Sequence, residues 1–155
     1  MKIRVISVGR ERPGDFSALA VADYAERIAR AAELELVELP AKDGPAARDK
    51  EAEAILAVHS RASARGRAEL WALDEHGEEM TSVQLAERIR KLRDEATDLH
   101  LALGGDEGLG SAVLSAARFR WSLSRLTLPH RLARVVVLEQ LYRSFEILRG
   151  RPYHK

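Results

Sequence analysis

Five short apolar runs, each followed by a stretch with helical periodicity, constrain this chain more than any other feature. They are Lys2–Val8 (KIRVISV), Leu34–Leu39 (LELVEL), Ala68–Leu73 (AELWAL), Leu99–Leu103 (LHLAL) and Phe119–Leu123 (FRWSL). Runs of four to eight residues rich in Val, Ile, Leu and aromatics, bounded by Gly and Pro, read as buried strands. Between them lie helical patterns. Phe16–Ala32, with Asp15 as its cap, has apolar positions at 16, 19, 20, 24 and 28. An Ala-rich segment, Ala46–Ala64, turns Ile55, Leu56 and Val58 inward. The T-x-x-Q pair Thr81 and Gln84 is a capping box opening a helix to Arg93, with Val83, Leu85, Ile89 and Leu92 on one face. Ser111–Ala117 is a short helix, and Pro129 opens a long one. Strict alternation of strand and helix predicts an α/β fold, a parallel sheet with helices on both faces. A chain of 155 residues fits one domain, residues 1–155, with a real core.

Composition narrows the class. With 46% hydrophobic and 32% charged residues the chain is that of a globular protein, not a disordered one. No apolar run approaches the roughly 18 residues of a membrane span, and MKIRVISVGR reads as a first strand and not as a signal peptide. Cysteine is absent, so thiolate chemistry and disulfides are excluded, and a cytoplasmic location is expected. Net charge is only +1, but it is unevenly placed. From Arg118 to Lys155 nine Lys/Arg face two acids, Glu139 and Glu146; this quarter carries +7 and the remainder −6. A basic end on an acidic body suggests a polyanionic partner, against the plainer reading of a solvated basic helix face.

In a parallel sheet, ligands sit outside the carboxyl ends of the strands. Three loops are thereby expected to meet: those after Leu73, Leu103 and Leu123. The first is the DEHG turn at 74–77. The second is GGDEGLG, Gly104–Gly110, whose glycines permit close backbone approach and whose following helix start favours an anion. It matches neither the dinucleotide fingerprint nor a P-loop, and a structural tight turn fits it equally well. The third is SLSRLTLPH, pinned between a strand and a proline-started helix. Such a loop presents backbone N–H and C=O groups in fixed directions, which suits a small polar ligand such as a nucleoside. The histidines at 59, 76, 100, 130 and 154 show no metal-ligand spacing, so no metal site is expected. His100 reads as core and His76 as exposed, which leaves His130 and His154 as candidates for chemistry. No serine has a G-x-S-x-G setting. The final helix carries Leu132, Val135, Val136, Leu138, Leu141, Tyr142, Phe145 and Leu148, a stripe wider than one sheet contact requires. A second copy of the chain is expected to cover part of it.

Taken jointly, GGDEGLG, WSLSRLTLPH, RVVVLEQLYRSFEI and the terminal RPYHK closely resemble the ribosomal large subunit methyltransferase H family, small members of the SPOUT class. KIRVISVGR and WALDEHG match it too, so the resemblance spans essentially the whole chain. It implies a SPOUT-type C-terminal trefoil knot, which no periodicity would reveal. It implies a homodimer that methylates N3 of a pseudouridine in 23S rRNA of the assembled ribosome, with S-adenosylmethionine as donor and without metal, membrane or DNA. By motif position the cofactor residues are Leu73, Gly104 and Leu123, Ser124, Arg125, Leu126, Thr127 and Leu128. Adenine is expected between Leu73, Leu126 and Leu128. On the target side the expectation is His130, Arg134, Tyr142 and His154 for catalysis, and Arg131, Arg143, Tyr153 and Lys155 for RNA. The chain departs from the family pattern at Asp106 (usually proline), Gly110 (usually serine) and Arg131 (often proline), and its tail ends on Lys155. Two alternatives stay open: a SPOUT enzyme for another rRNA or tRNA site, and an RNA-binding module without transferase activity.

Overall fold

The computed structural model describes residues 1–64, 66–151 and 153. The strands are β1 (Lys2–Val8), β2 (Glu33–Leu39), β3 (Ala68–Glu79), β4 (Asp98–Leu103) and β5 (Phe119–Ser122). The helices are α1 (Phe16–Ala29), α2 (Ala47–Ser63), α3 (Ser82–Asp94), α4 (Ser111–Ala116) and α5 (His130–Leu148). The five strands form one parallel sheet in the order β2-β1-β4-β3-β5.

Period-2 alternation divides the sheet between two apolar layers, as the strand pattern requires. Ile3, Val5, Trp71, Leu99 and Leu101 pack with Val21, Leu85, Ile89, Val137, Leu138 and Leu141 from α1, α3 and α5. Ile6, Val8, Leu70, Ala72 and Ala102 pack with Ala52, Ile55 and Val113 from α2 and α4. Helices therefore cover both faces. After β5 the chain crosses the carboxyl edge of the sheet, leaving the α4 side and placing α5 on the α1/α3 side.

The expected capping box is present: Gln84 N–H donates to Thr81 Oγ1 at 3.2 Å, and Thr81 N–H donates to Gln84 Oε1 at 2.8 Å. Several expectations need correction. Val83 is half exposed rather than inward, because it lies in the first turn of α3, beyond the rim of the sheet. Asp15 stands at the N-cap of α1 without capping it; its carboxylate pairs instead with Arg131. DEHG is not a turn that ends β3. The chain stays extended to Glu79, yet Leu73 and Glu78 both pair with Trp121, so 74–77 bulge out of the ladder. Gly77 makes this possible: a Cβ there would lie 2.7 Å from the Arg120 carbonyl.

At the opposite, amino end of the sheet His100 is buried, as expected for a core histidine. Arg4 donates to His100 Nε2 at 2.7 Å, so the neutral ring carries its hydrogen on Nδ1 and donates it to His59 Nδ1, also at 2.7 Å. Burial, and then the Arg4 charge, push His100 down to about 4 and lower His59 as well.

Candidate functional site

The three loops predicted to meet do so. The β3 bulge, the 104–109 loop and the 123–129 loop enclose a cavity of about 810 Å³ at the carboxyl edge of the sheet. Its wall includes Leu73, Gly104, Leu123, Ser124, Thr127 and Leu128. Leu126 joins them with 73% of its surface exposed, a large apolar side chain left at the rim. Of the eight residues expected around a cofactor, Arg125 alone is not in the wall. It points outward, 3.3 Å from Glu79.

Local chemistry fixes each loop. Gly104 ends β4, and a Cβ on it would stand 2.3 Å from the Gly108 carbonyl carbon, so the loop closes this tightly only around glycine. Gly108 N–H donates to the Gly105 carbonyl at 3.0 Å. In the 123–129 loop, Ser122 Oγ donates to the Ser124 carbonyl, and Leu126 N–H donates to Ser124 Oγ at 2.9 Å. The Leu126 amide is thus already engaged within the loop. Thr127 Oγ1 donates to Glu75 across the mouth at 3.4 Å, tying this loop to the bulge. The anion site expected at the start of α4 is not built. That helix has six residues, and its cap Gly110 sits against α2, with a would-be Cβ 2.9 Å from the Arg48 carbonyl.

Sequence reasoning missed the acidic part of the wall, Asp74, Glu75, Asp106 and Glu107. The DEHG and GGDEGLG segments held the signal, but only their turn character was used. Asp106 accepts a hydrogen bond from His130 Nδ1 at 2.8 Å, which places the first residue of α5 in the cavity wall.

The remaining target-side residues divide. Arg131 pairs with Asp15 outside the cavity. Arg134 is 3% exposed and donates to Glu11 and Glu38, each at 2.8 Å, and to the Gly9 carbonyl at 2.9 Å. It is buried behind the site rather than facing a ligand. Tyr142, Arg143 and Tyr153 form a separate cluster with Tyr24 and Arg27. Tyr142 and Tyr153 meet edge to face at 4.8 Å, and Arg143 lies over the Tyr153 ring at 4.9 Å. Burial, with a hydrogen bond to Tyr24, pushes the Tyr153 phenol up to about 12, so it is a donor and not a base near neutral pH. Twelve residues of helix, about 18 Å, separate Tyr142 from His130 within one chain. His154 and Lys155 lie outside the described residues.

Much of the basic quarter is neutralised by the acidic body. Arg120, Arg125, Arg131, Arg134, Arg143, Arg149 and Arg151 each have a carboxylate within 4.0 Å. Exposed pairs of this kind are worth little, so a polyanion can compete for Arg125 but not for buried Arg134.

Comparison with known proteins decides the family. A family model described as a predicted SPOUT methyltransferase matches residues 1–154. The chain belongs to the SPOUT methyltransferase family. A relative from an Anaeromyxobacter species, named ribosomal RNA large subunit methyltransferase H, is 48% identical, with all of both chains covered. Among solved structures, a probable methylase family protein from Haemophilus influenzae matches 99% of this chain and 70% of its own, at TM-score 0.59 and 12% identity. The SpoU methyltransferase AviRb from Streptomyces viridochromogenes, solved in complex with AdoMet, matches 90% of this chain and 56% of its own, at TM-score 0.50 and 18% identity. These likenesses agree with the α/β fold, whose C-terminal part is knotted in the SPOUT class.

The cavity suits a sulfonium nucleoside. Its size lies within the roughly 300–1,000 Å³ typical of small-ligand sites. Leu73, Leu126 and Leu128 offer apolar faces for a purine, and Asp74 and Glu75 offer negative charge to a cationic centre. Among the described residues no group of three His, Cys, Asp or Glu side chains could hold a metal ion.

Proposed function

We propose that this SPOUT methyltransferase transfers a methyl group from S-adenosylmethionine to N3 of a pseudouridine in 23S rRNA of the assembled ribosome, acting as a cytoplasmic homodimer. The observation that carries the reading is the cavity bounded by Leu73, Gly104 and the 123–128 loop, the three segments that the resemblance assigns to the cofactor. The names of the full-length relatives support the rRNA substrate.

The bound donor supplies an electrophilic methyl group on a sulfonium. This chain's residues do the rest. Leu73, Leu126 and Leu128 hold the adenine, and the glycine loop lets the backbone close over the ligand. N3–H of a pseudouridine is weakly acidic, so its proton must be removed while the ring is held in line with the methyl group. His130, which shares the cavity wall with His76, is the candidate base in the same protomer. His154 is a second candidate in the tail. Arg134 acts through the 9–11 segment it holds and not by touching RNA.

Tyr142 and Arg143, far along α5, and Tyr153, beyond its end, are too distant to serve their own chain's cavity. In a two-fold dimer they complete the partner's cavity, where a tyrosine stacks on a base and arginines hold phosphates. Phe16 and Leu19, 66% and 68% exposed on α1, and Leu132 at the start of α5 supply an apolar surface for that contact.

Mapping modified nucleotides in rRNA from a deletion strain tests the proposal. Loss of one N3-methylpseudouridine, restored by the wild-type gene, is the expected result. Loss of a mark at a tRNA or another rRNA site would replace the substrate. No change in any mark would leave an RNA-binding module.

A further inference from the structure

We infer that Asp106 is a positioning residue for His130. Its carboxylate fixes the imidazole tautomer, so that Nε2 presents a lone pair to the target base. This rests on the proposed reading of the cavity and adds a second residue to its chemistry.

The geometry is specific. Asp106 Oδ1 lies 2.8 Å from His130 Nδ1. A carboxylate only accepts, so the neutral ring must carry its hydrogen on Nδ1, leaving Nε2 unprotonated. Nε2 makes no hydrogen bond to any described residue. It lies 3.6 Å from where a Cβ on Gly9 would stand, a position the glycine leaves empty, so no side chain of residue 9 covers the Nε2 edge. Arg134, one turn further along α5, donates to the Gly9 carbonyl at 2.9 Å. The ring is thus held at Nδ1 by the carboxylate, with Nε2 left to accept.

The pair is poorly placed to be a structural strap. The Asp106 side chain is 91% exposed, and exposed ion pairs add little stability. What Asp106 does supply is direction. A free histidine ring prefers its hydrogen on Nε2, the wrong tautomer for a base that must accept there. The other charges around the ring are otherwise engaged: Arg131 on Asp15, and Arg134 on Glu11 and Glu38. Arg48, Asp74, Glu75, His76, Glu107 and Arg120 share the cavity wall with it.

In the step assigned to His130, the N3–H bond breaks and its proton passes to Nε2. The electron pair left on N3 forms the new bond to the methyl carbon, and the carbon–sulfur pair stays on sulfur. The imidazolium then releases its proton to solvent, and Asp106 stabilises the cation in between.

The test compares wild type, Asp106→Ala and Asp106→Asn. Asparagine keeps an acceptor oxygen but loses the charge; alanine loses both. Ring ¹⁵N shifts of His130 in the ligand-free protein are expected to show Nδ1–H in wild type and in D106N, and Nε2–H in D106A. Methyl transfer at saturating substrates is expected to fall roughly ten-fold or more in D106A, with partial recovery in D106N. Wild-type His130 protonated on Nε2, or a D106A enzyme with unchanged rate, overturns the inference. If wild type transfers no methyl group to RNA, the underlying reading fails instead, while the tautomer measurement still decides whether Asp106 sets the ring.

Discussion

Gly104 shows how one missing side chain shapes the site. A methyl there would stand 2.3 Å from Gly108 backbone carbon, far inside contact distance, so the 104–108 loop must open to admit it. Gly104→Ala is expected to weaken S-adenosylmethionine binding by at least about ten-fold in calorimetry and to lower the melting temperature, since backbone and not a flexible side chain must shift. His100 makes a different residue-scale prediction. Its proton affinity is depressed to about 4 in the fold against an ordinary value of 6.5, and that of His59 is lowered too. Above pH 6.5 both states are neutral and the pair has no pH effect. As pH falls from 6.5 toward 4 the unfolded chain takes up protons that the folded one refuses, and stability declines. Glu35, held near 2 by Arg4 and Lys2, extends the loss from about 4.5 downward. Urea midpoints measured between pH 7 and 4 should fall, and His100→Gln should flatten the upper part of that slope.

At the scale of elements, α5 joins the two halves of the account. Its first residue is in the cavity wall, its middle is core (Val137, Leu138, Leu141), and its last turns meet the tyrosine cluster. Arg134 separates a structural from a catalytic role. Arg134→Ala leaves Glu11 and Glu38 without their cation and the Gly9 carbonyl without its donor, and is expected to cost about 3 kcal/mol or more in denaturant unfolding. Slowed methylation with unchanged stability would instead place Arg134 on the RNA. This element also shows what sequence reading can reach. Alternating apolar runs gave the strands nearly to the residue, and the Thr81–Gln84 pair gave the start of α3, because these signals are local. The end of β3 was not legible: a bulge at 74–77 depends on pairing with Trp121, more than forty positions later in the chain and outside the local pattern. Arg134 read as a target-side cation because its three partners lie more than ninety residues earlier in the chain. The wide apolar stripe of α5 led to a second copy being expected over part of it; α1 and α3 of the same chain pack against the helix as well.

For the whole molecule, the division of labour is between a cavity at one end of α5 and a cation–aromatic cluster at the other. If two copies share each site, variants damaged at opposite ends must complement. Gly104→Ala and Arg143→Ala chains, each nearly inactive alone, should recover about a quarter of wild-type methylation when co-expressed, since half the dimers are mixed and each holds one intact site. No recovery would assign both ends to one chain. The cavity itself is the claim on which the rest depends. A crystal of the protein grown with S-adenosylmethionine measures it directly. The account predicts the adenine among Leu73, Leu126 and Leu128, with the sulfonium on the side of Asp74, Gly104 and His130. The donor bound at any other place on the chain would contradict it.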